Sequence, residues 1–322
     1  MSSFFLLQMY RFIFRFWRFV SLFKLSKYYL FNILFLDSIF SFFPILQLLN
    51  KTILKKKQLL SIIAIIILIA VFGSEELLDA KKENDIIENG KLPKVTTNQY
   101  FLPTSTTNQV VHHQNYSLSY SEKHEQAEWV AYELKASHLS TTNYKRPYFE
   151  IDKSVKTKAA HWRNYKKSGY DKGHLCPAGD RRFSKSAHDE TFLTSNISPQ
   201  EHQFNAGVWN RLEQKVRYWA KKNDGIFVIT GGVLESNLKT IGTESVSVPK
   251  QFYKVILDKT NGHIKMLAFL MPHKDSNLPL YKFVVSVDKI EALTGIDFFK
   301  ELDDSLENTL EKSSSYKNWS FK

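Results

Sequence analysis

The fold of this chain depends on one stretch, which runs from residue 168 to residue 213. Residues 168–174 read SGYDKGH, residues 194–200 read TSNISPQ, and residues 205–213 read NAGVWNRLE. A histidine follows a glycine in the first part, and an amide and a carboxylate follow in the last part. The whole stretch lies in strongly basic sequence, so it combines polar groups that can do chemistry with positive charge.

The end of this stretch is predicted to be helical. From Gln203 to Lys222, apolar residues recur at spacings of four and three, as on the buried face of an amphipathic helix. These residues are Phe204, Val208, Leu212, Val216 and Trp219. Asn205 and Glu213 are eight residues apart, or about two turns, so both can lie on the polar side and face a cleft.

Short apolar runs on both sides of the stretch predict strands. Trp129–Leu134 reads as one strand and Arg146–Phe149 as its neighbour. After a turn at Asp224-Gly225, further strands are predicted and a last helix is expected at 302–310. The predicted later strands are 226–229, 252–257, 266–271 and 281–287. We therefore expect an α+β fold with a mostly antiparallel central sheet flanked by helices.

Positive charge is concentrated in part of the chain. The 322 residues carry a net charge of +12. Residues 135–222 hold eighteen Lys or Arg against eight Asp or Glu. A local cationic face of this kind is typical of a protein with a polyanionic partner. The single cysteine, Cys176, excludes an intramolecular disulfide and a cysteine-based zinc cluster.

The N-terminal region has membrane-like composition. Residues 1–54 are hydrophobic and basic, and their status is left open, as membrane-associated helix or upstream extension. Residues 55–74 begin with three lysines and continue as an uncharged apolar run, the order of a signal peptide or signal anchor. This pattern predicts a membrane partner and an extracytoplasmic location, periplasmic or secreted, with residues 59–73 as an anchor to the inner membrane if uncleaved.

The remaining sequence divides into three parts. Residues 75–115 are polar and carry Pro93 and Pro103 as breakers, which predicts a linker. Residues 116–312 are predicted to form the folded domain, and residues 313–322 a C-terminal tail. The oligomeric state is left open, with a homodimer among the alternatives.

The polar residues of the central stretch fit phosphodiester hydrolysis. That reaction needs a base for water and a cation for the charge that develops on the phosphoryl group. His174 is the candidate base, because imidazole titrates near working pH. A hard divalent cation prefers oxygen ligands, so the carbonyl oxygen of Asn205 is a candidate ligand and Glu213 a candidate partner for the cation's waters.

Several motifs in fixed order resemble the DNA/RNA non-specific endonuclease family, the ββα-metal group that includes endonuclease G. The resemblance rests on 171–174 (DKGH), 195–200 (SNISPQ) and the series Asn205, Trp209 and Glu213. Flanking segments agree, and the resemblance spans about residues 116–310. These flanking segments are 129–132, 145–147, 191–192, 230–232 and 248–249.

The resemblance implies a ββα-metal finger nuclease domain that cleaves DNA and RNA and leaves 5′-phosphate ends. It implies that His174 is the general base and that Asn205 binds a single Mg²⁺, with Mn²⁺ or another divalent cation as substitutes. It further implies that Glu213 orients the metal's waters, that Asn196 supports the site, and that Arg146 contacts the phosphate.

The cationic residues around the site are expected to hold nucleic acid through its phosphates without reading bases. The expected phosphate contacts are Arg163, Lys166, Lys167, Arg181 and Arg182. Lys172 stands where the family usually has Arg, which keeps the charge but removes the bidentate fork. Two alternatives remain open at this point: a nucleic-acid-binding module with weakened chemistry, and an effector nuclease restricted to particular targets.

Overall fold

The computed structural model describes residues 101–260 and 264–321. The predictions for residues 1–54 and 55–74, and for the first part of the linker, lie outside the described residues. Within the described ranges, no helix is both long enough and apolar enough to cross a membrane.

A seven-stranded sheet forms the centre of the fold. Its strand order is β1-β2-β3-β6-β9-β10-β11, and every neighbouring pair is antiparallel. The large antiparallel sheet predicted from the sequence is therefore confirmed. The strands are β1 (Val110–His112), β2 (Ser117–Ser121), β3 (Gln126–Leu134), β6 (Ile226–Gly232), β9 (Gln251–Asp258), β10 (Lys265–Pro272) and β11 (Val284–Val285).

Side chains alternate between the two faces of this sheet, as the pleat of a strand requires. On β3, Tyr132 and Leu134 enter one core, whereas Trp129 and Ala131 enter the other. The first core includes the apolar residues of a long kinked helix, and the second includes residues of two C-terminal helices. The sheet thus separates two layers of helices.

Five α-helices and several short 3₁₀ turns accompany the described strands. The α-helices are α1 (Lys185–Glu190), α2 (His202–Phe204), α3 (Asn210–Lys222), α4 (Val287–Thr294) and α5 (Asp304–Lys312). The 3₁₀ turns are Ala136–His138, Trp162–Tyr165, Ala178–Asp180, Thr194–Asn196 and Leu280–Phe283. Ser286 and Asp303 accept hydrogen bonds from backbone N–H groups at the starts of α4 and α5, which fixes where those helices begin.

A small hairpin carries the central stretch of sequence. Strand β4 (Asp171–His174) pairs antiparallel with β5 (Ile197–Gln200), and His174 lies opposite Ile197. The chain then enters α2 and α3, so two strands and a helix follow one another in space. A further two-stranded ribbon is formed by β7 (Thr240–Ile241) and β8 (Val246–Ser247).

The structure corrects the predicted domain boundary at residue 116. Strand β1 begins at Val110, and Phe101 is buried against Phe227 and Phe299. The Thr- and Ser-rich sequence that resembles a linker is ordered because its polar groups form hydrogen bonds with residues of β2 and β3. Thr106, for example, donates its backbone N–H to Glu128. The folded part therefore includes residues 101–115.

The strand predicted at Arg146–Phe149 is wrong. Residues 139–149 have no regular secondary structure, and the nearest pairing is an isolated bridge between Glu150 and Leu193. Pro147 has no N–H to donate to a ladder, and this segment runs along the rim of a cleft instead of pairing in the sheet. The C-terminal tail is anchored by Trp319, which is buried against Trp219.

Candidate active site

One cleft of about 360 Å³ brings together residues that are far apart in the sequence. It lies where the segment around Arg146, strand β4 and helix α3 meet. Six of the side chains singled out from the sequence line it: Arg146, Lys172, His174, Arg182, Asn205 and Glu213. The imidazole of His174 and the carboxamide of Asn205 therefore share one cleft, as the sequence interpretation requires.

His174 stands at the end of β4 between two aromatic rings. Its ring centroid lies 4.9 Å from that of Phe192 and 5.4 Å from that of Phe149. Its Nε2 atom is buried and has no hydrogen-bond partner within the described part of the chain. Burial, with smaller contributions from the charges of Arg146 and His188, lowers the pKa of His174 to about 3. The imidazole is therefore neutral near pH 7, and the same burial makes it a weaker base than a free imidazole.

Gly173 allows the hairpin to close beside this histidine. A Cβ atom at residue 173 would lie 2.1 Å from Oε1 of Gln200, which lies on β5 two residues beyond Ser198, the cross-strand partner of Gly173. Any side chain at this position would have to displace the buried side chain of Gln200. The glycine before the histidine is thus explained by close packing.

Asn196 holds the chain immediately after His174. Its side chain is fully buried; Oδ1 accepts from the backbone N–H of Cys176 at 2.8 Å, and Nδ2 donates to the carbonyl groups of Cys176 and Thr191. Cys176 itself is a buried free thiol. Asn196 does not line the cleft. Its hydrogen bonds hold the backbone at Cys176 and Thr191.

The helix predicted from Gln203 to Lys222 is interrupted. A wider turn at Asn205–Trp209 joins α2 to α3, and Gly207 has non-helical angles, with φ −95° and ψ −109°. Asp275 accepts the backbone N–H of Val208 at 3.0 Å, replacing a hydrogen bond that the kink breaks. The kink sets the direction of Asn205 relative to Glu213, and both reach the cleft.

Replacing Gly207 by Ala is expected to disturb this kink. A Cβ atom at residue 207 would lie 2.2 Å from Oδ1 of Asp275. We expect the free energy of unfolding to fall by about 1–3 kcal/mol, as for other overpacked sites, and kcat to fall with it. Urea unfolding and steady-state kinetics would measure the two quantities. The exposed neighbour Ala206, changed to Gly, is the matched control, and a Gly207→Ala protein with unaltered stability and rate would contradict the role of the kink.

Asn205 is oriented by a carboxylate from the hairpin. Its Nδ2 donates to Oδ2 of Asp171 at 3.0 Å, and Nδ1 of His202 lies 2.9 Å from the same oxygen. This contact fixes which end of the amide is nitrogen, and within the described residues nothing donates to the Asn205 carbonyl oxygen. Asp171 is thus a positioning residue whose role the sequence pattern did not reveal.

Beneath the cleft lies a network of buried charges around Glu213. Arg217, one helical turn further on, lies 4.0 Å from Glu213 and donates to Asp180 at 2.7 Å. Lys254 on β9 is completely buried, donates to Thr230 and lies over the ring of Trp209. Burial raises the pKa of Glu213 to about 7, whereas the positive charges of Lys254 and Arg217 oppose this rise.

Sequence reasoning missed Arg217 and Lys254. The spacing of Glu213 and Arg217 by four residues on a helix is a signal that could have indicated the first pair. Nothing local marks Lys254, because it lies in an otherwise apolar strand and only the tertiary fold places it near Glu213. Asn210 also lines the cleft, and its place in the motif did not indicate a role.

Three cations give the cleft a positive rim. The Nζ atom of Lys172 lies 5.5 Å from the ring centroid of Phe149 and 6.0 Å from that of Tyr165. The guanidinium carbon of Arg146 lies 5.4 Å from the ring centroid of Phe192, and Arg182 lines the cleft nearby. The aromatic rings thus lie beside two of the three cations.

Arg181 is not available to a ligand, which corrects the sequence prediction. Its side chain is fully buried, lies 4.6 Å above the ring of Tyr132, and donates to the carbonyl groups of Asn115, Glu133 and Asp180. Two adjacent arginines in the sequence thus have different roles. His188 is buried beside Phe192 at the edge of the cleft.

The other predicted phosphate contacts line a separate groove of about 840 Å³. Arg163, Lys166 and Lys167 are exposed there, and Lys239 adds a fourth cation. Glu244 on the same groove accepts from the backbone N–H of His161. The structure therefore does not bring these three residues into the cleft that holds His174.

The chain belongs to the DNA/RNA non-specific endonuclease family, whose model matches residues 94–305. The family resemblance predicted from the motifs is thus confirmed. Among solved structures, a crystal structure of the EndoG/EndoGI complex superposes with a TM-score of 0.56 at 32% identity. That match covers 60% of this chain and 86% of the other.

Similar curated proteins are nucleases. The mitochondrial nuclease EXOG of Danio rerio is 36% identical over 205 residues, which cover 58% of this chain and 60% of that protein. The mitochondrial endonuclease G of Homo sapiens is 32% identical over 200 residues, covering 58% of this chain and 67% of that protein. The alignment with the zebrafish protein therefore leaves two fifths of its length unmatched.

These comparisons contradict the predicted location. The apolar run at residues 59–73 indicated a periplasmic or secreted protein, but the EXOG and endonuclease G relatives are named as mitochondrial. A basic, apolar N-terminus is compatible with more than one compartment. The expectation of an extracytoplasmic protein is therefore wrong.

Proposed function

We propose that this chain is a metal-dependent, sequence-nonspecific endonuclease that hydrolyses the phosphodiester bonds of DNA and RNA. The observation that carries the proposal is the meeting of His174, Asn205 and Glu213 in one cleft with a cationic rim. Family membership supports the same reaction class. The products would carry 5′-phosphate and 3′-hydroxyl ends.

His174 would act as the general base. Its pKa is lowered to about 3, so almost all molecules hold the unprotonated imidazole at neutral pH. Phe149 and Phe192 fix the ring plane, and Asn196 holds the backbone that follows it. Neutral imidazole aimed into a polar cleft can take a proton from water as the water attacks phosphorus.

The oxygen atoms in the cleft suit a hard divalent cation such as Mg²⁺. Because Asp171 accepts from the Asn205 amide nitrogen, the amide presents its oxygen as the free donor. Asn205 would hold the cation, and Glu213 would hold waters around it, since such ions keep several waters. When bound, the cation would supply charge neutralisation for the phosphoryl group and the leaving oxygen.

Arg146, Lys172 and Arg182 would bind phosphate groups along the cleft. All three line it, and their charges need no particular base, which suits cleavage without sequence preference. The groove that holds Arg163, Lys166 and Lys167 would contact the same polyanion farther along the strand. Because these contacts are electrostatic, binding should weaken steeply as salt is raised.

The Lys172→Arg variant tests the departure from the family pattern. We expect the guanidinium fork to hold phosphate more firmly and kcat/KM to rise by roughly 3- to 10-fold, or the ratio of DNA to RNA cleavage to change. Cleavage of matched DNA and RNA oligonucleotides would measure both quantities. If the wild-type and Lys172→Arg proteins had the same kinetics on DNA and the same kinetics on RNA, the lysine would have no effect on function.

Arg181 and Arg182 offer a matched pair of substitutions. Arg182→Ala should leave the thermal midpoint unchanged, weaken nucleic-acid binding, and lower the slope of binding against salt by about one. Arg181→Ala should instead destabilise the fold by about 3 kcal/mol or more, because buried carbonyl groups lose a charged donor. Fluorescence anisotropy and thermal unfolding separate the two effects, and the reverse pattern would contradict the positions assigned here.

A single oligonucleotide experiment separates an enzyme from a binding module. Binding and cleavage of one labelled DNA strand would be measured with Mg²⁺ and with EDTA. A nuclease of the proposed kind binds in both conditions and cleaves only with Mg²⁺. Binding without any cleavage, at all Mg²⁺ concentrations tested, would reject the proposed activity.

A further inference from the structure

A cluster of carboxylates lies between α4 and α5, on the opposite face of the sheet from the cleft. One ligand oxygen from each of Asp288, Glu291 and Glu311 lies within 4.8 Å of the others. Ile290 and Leu310, beside these residues on the two helices, belong to the core on that face, whereas Phe204 and Leu212 of the kinked helix belong to the other core. The cluster is therefore separate from the candidate active site.

Glu311 is the unusual member of the cluster. Only 7% of its surface is exposed, and its Oε1 atom is buried without a hydrogen-bond partner in the described part of the chain. A buried carboxylate without a partner is costly unless something neutralises it.

Across residues 101–260 and 264–321, no Lys or Arg side chain is within ion-pair distance of Asp288, Glu291 or Glu311. Glu311 also lies in the last turn of α5, where the helix dipole disfavours negative charge, and Glu307 lies one turn before it. Three separate features therefore oppose a carboxylate here.

We propose that Asp288, Glu291 and Glu311 bind a divalent cation of the size of Ca²⁺, which ties α4 to α5. All three ligands are carboxylate oxygens, which suit a hard cation such as Ca²⁺. Zinc and copper instead favour nitrogen or sulfur ligands. Ligands of one Ca²⁺ can be separated by up to about 5 Å, and those of Mg²⁺ by only about 4.2 Å. The three carboxylate oxygens lie within 4.8 Å of one another, a separation that the ligands of one Ca²⁺ can span.

The geometry also gives the ion a structural function. Asp288 and Glu291 are one turn apart on α4, and Glu311 belongs to α5, so one ion would connect two helices. Glu291 is already oriented because it accepts the backbone N–H of Phe298 at 2.9 Å. Binding would stabilise this layer and would leave the nucleic-acid cleft unchanged.

Isothermal titration of the full-length protein with Ca²⁺ alone tests the proposal. The starting protein carries Asn205→Ala, which reduces the binding of Ca²⁺ in the cleft. We expect one Ca²⁺ per chain, with affinity reduced by about ten-fold or more after Glu311→Gln or after Asp288→Asn. Glu301→Gln, an exposed carboxylate outside the cluster, is the matched control and should bind as the starting protein does.

Two outcomes would overturn the proposal. One is the absence of Ca²⁺ binding by the Asn205→Ala protein at concentrations up to about 10 mM, well above the range of protein calcium sites. The other is equal binding by the Glu311→Gln, Asp288→Asn and Glu301→Gln proteins. Asp288 is more exposed than Glu311, so its variant still gives a result if Glu311→Gln fails to fold. Neither outcome depends on whether the chain is a nuclease.

Discussion

The His174→Ala variant is expected to lose about 10³-fold in kcat on plasmid DNA, within the range that general bases contribute. The loss follows from removing an unprotonated imidazole that lines the cleft with Asn205 and Glu213. Plasmid nicking at saturating substrate measures kcat, and anisotropy with a short oligonucleotide measures binding. Binding should change little, because Arg146, Lys172 and Arg182 remain.

The control for this variant is His112→Ala. His112 is an exposed histidine on β1, where it contacts Ser117 away from the cleft. We expect it to keep its rate. If His174→Ala kept the wild-type rate while its circular dichroism was unchanged, the general base would have to be another group, with His188 the nearest imidazole in the cleft.

The second large effect is expected at Asn205. Changing Asn205 to Ala removes the carbonyl oxygen proposed to hold Mg²⁺, and a lost Lewis-acid contribution of several kcal/mol corresponds to at least about 10²-fold in rate. A Mg²⁺ titration of cleavage should show a lower maximal rate and a shift of the midpoint to higher concentration. Gln214→Ala, on the exposed side of α3, is the control and should match the wild type.

Asn205→Asp gives a sharper version of the same test. The aspartate supplies an oxygen ligand for the cation. It also removes the amide N–H that donates to Asp171 at 3.0 Å, and puts a second carboxylate beside Asp171. The two carboxylates would repel each other and misdirect the ligand, so rescue by Asp should be poor. Asn205→Ala and Asn205→Asp proteins with normal Mg²⁺ dependence would show that the cation is held elsewhere.

The sequence predicted the elements whose patterns are local. Apolar residues at spacings of four and three marked α3, and the runs after Asp224-Gly225 marked β6, β9 and β10. Each of these features depends on neighbours in the chain or on a single backbone position, so it can be read before the fold is known.

The features that were missed depend on contacts between distant segments. Arg181 and Arg182 are identical in type and adjacent in sequence. Arg181 is nevertheless buried against the ring of Tyr132, whereas Arg182 lines the cleft. The kink at Gly207 depends on Asp275, whose carboxylate binds the backbone N–H of Val208 from sixty-seven residues further along the chain. Lys254 acquires its acidic neighbours only when β9 passes beneath α3. No periodicity encodes such contacts.

The N-terminal boundary shows how composition can mislead. Residues 101–115 are rich in Thr, Ser and Asn, which is typical of a linker. In the fold, the same hydroxyl and amide groups bond to β2 and β3, as when Ser105 contacts Ser119. A fragment that began at residue 115 would lack β1 and the buried ring of Phe101, so functional assays should use the longer chain.

The most direct test is digestion of supercoiled plasmid and of single-stranded RNA by the full-length protein across a Mg²⁺ titration. Wild-type protein should cleave both, stop when EDTA is added, and leave 5′-phosphate ends that a ligase accepts. The His174→Ala and Asn205→Ala proteins should be nearly inactive at every Mg²⁺ concentration. Cleavage that persists in EDTA, or that survives both substitutions, would contradict a one-metal nuclease site in this cleft.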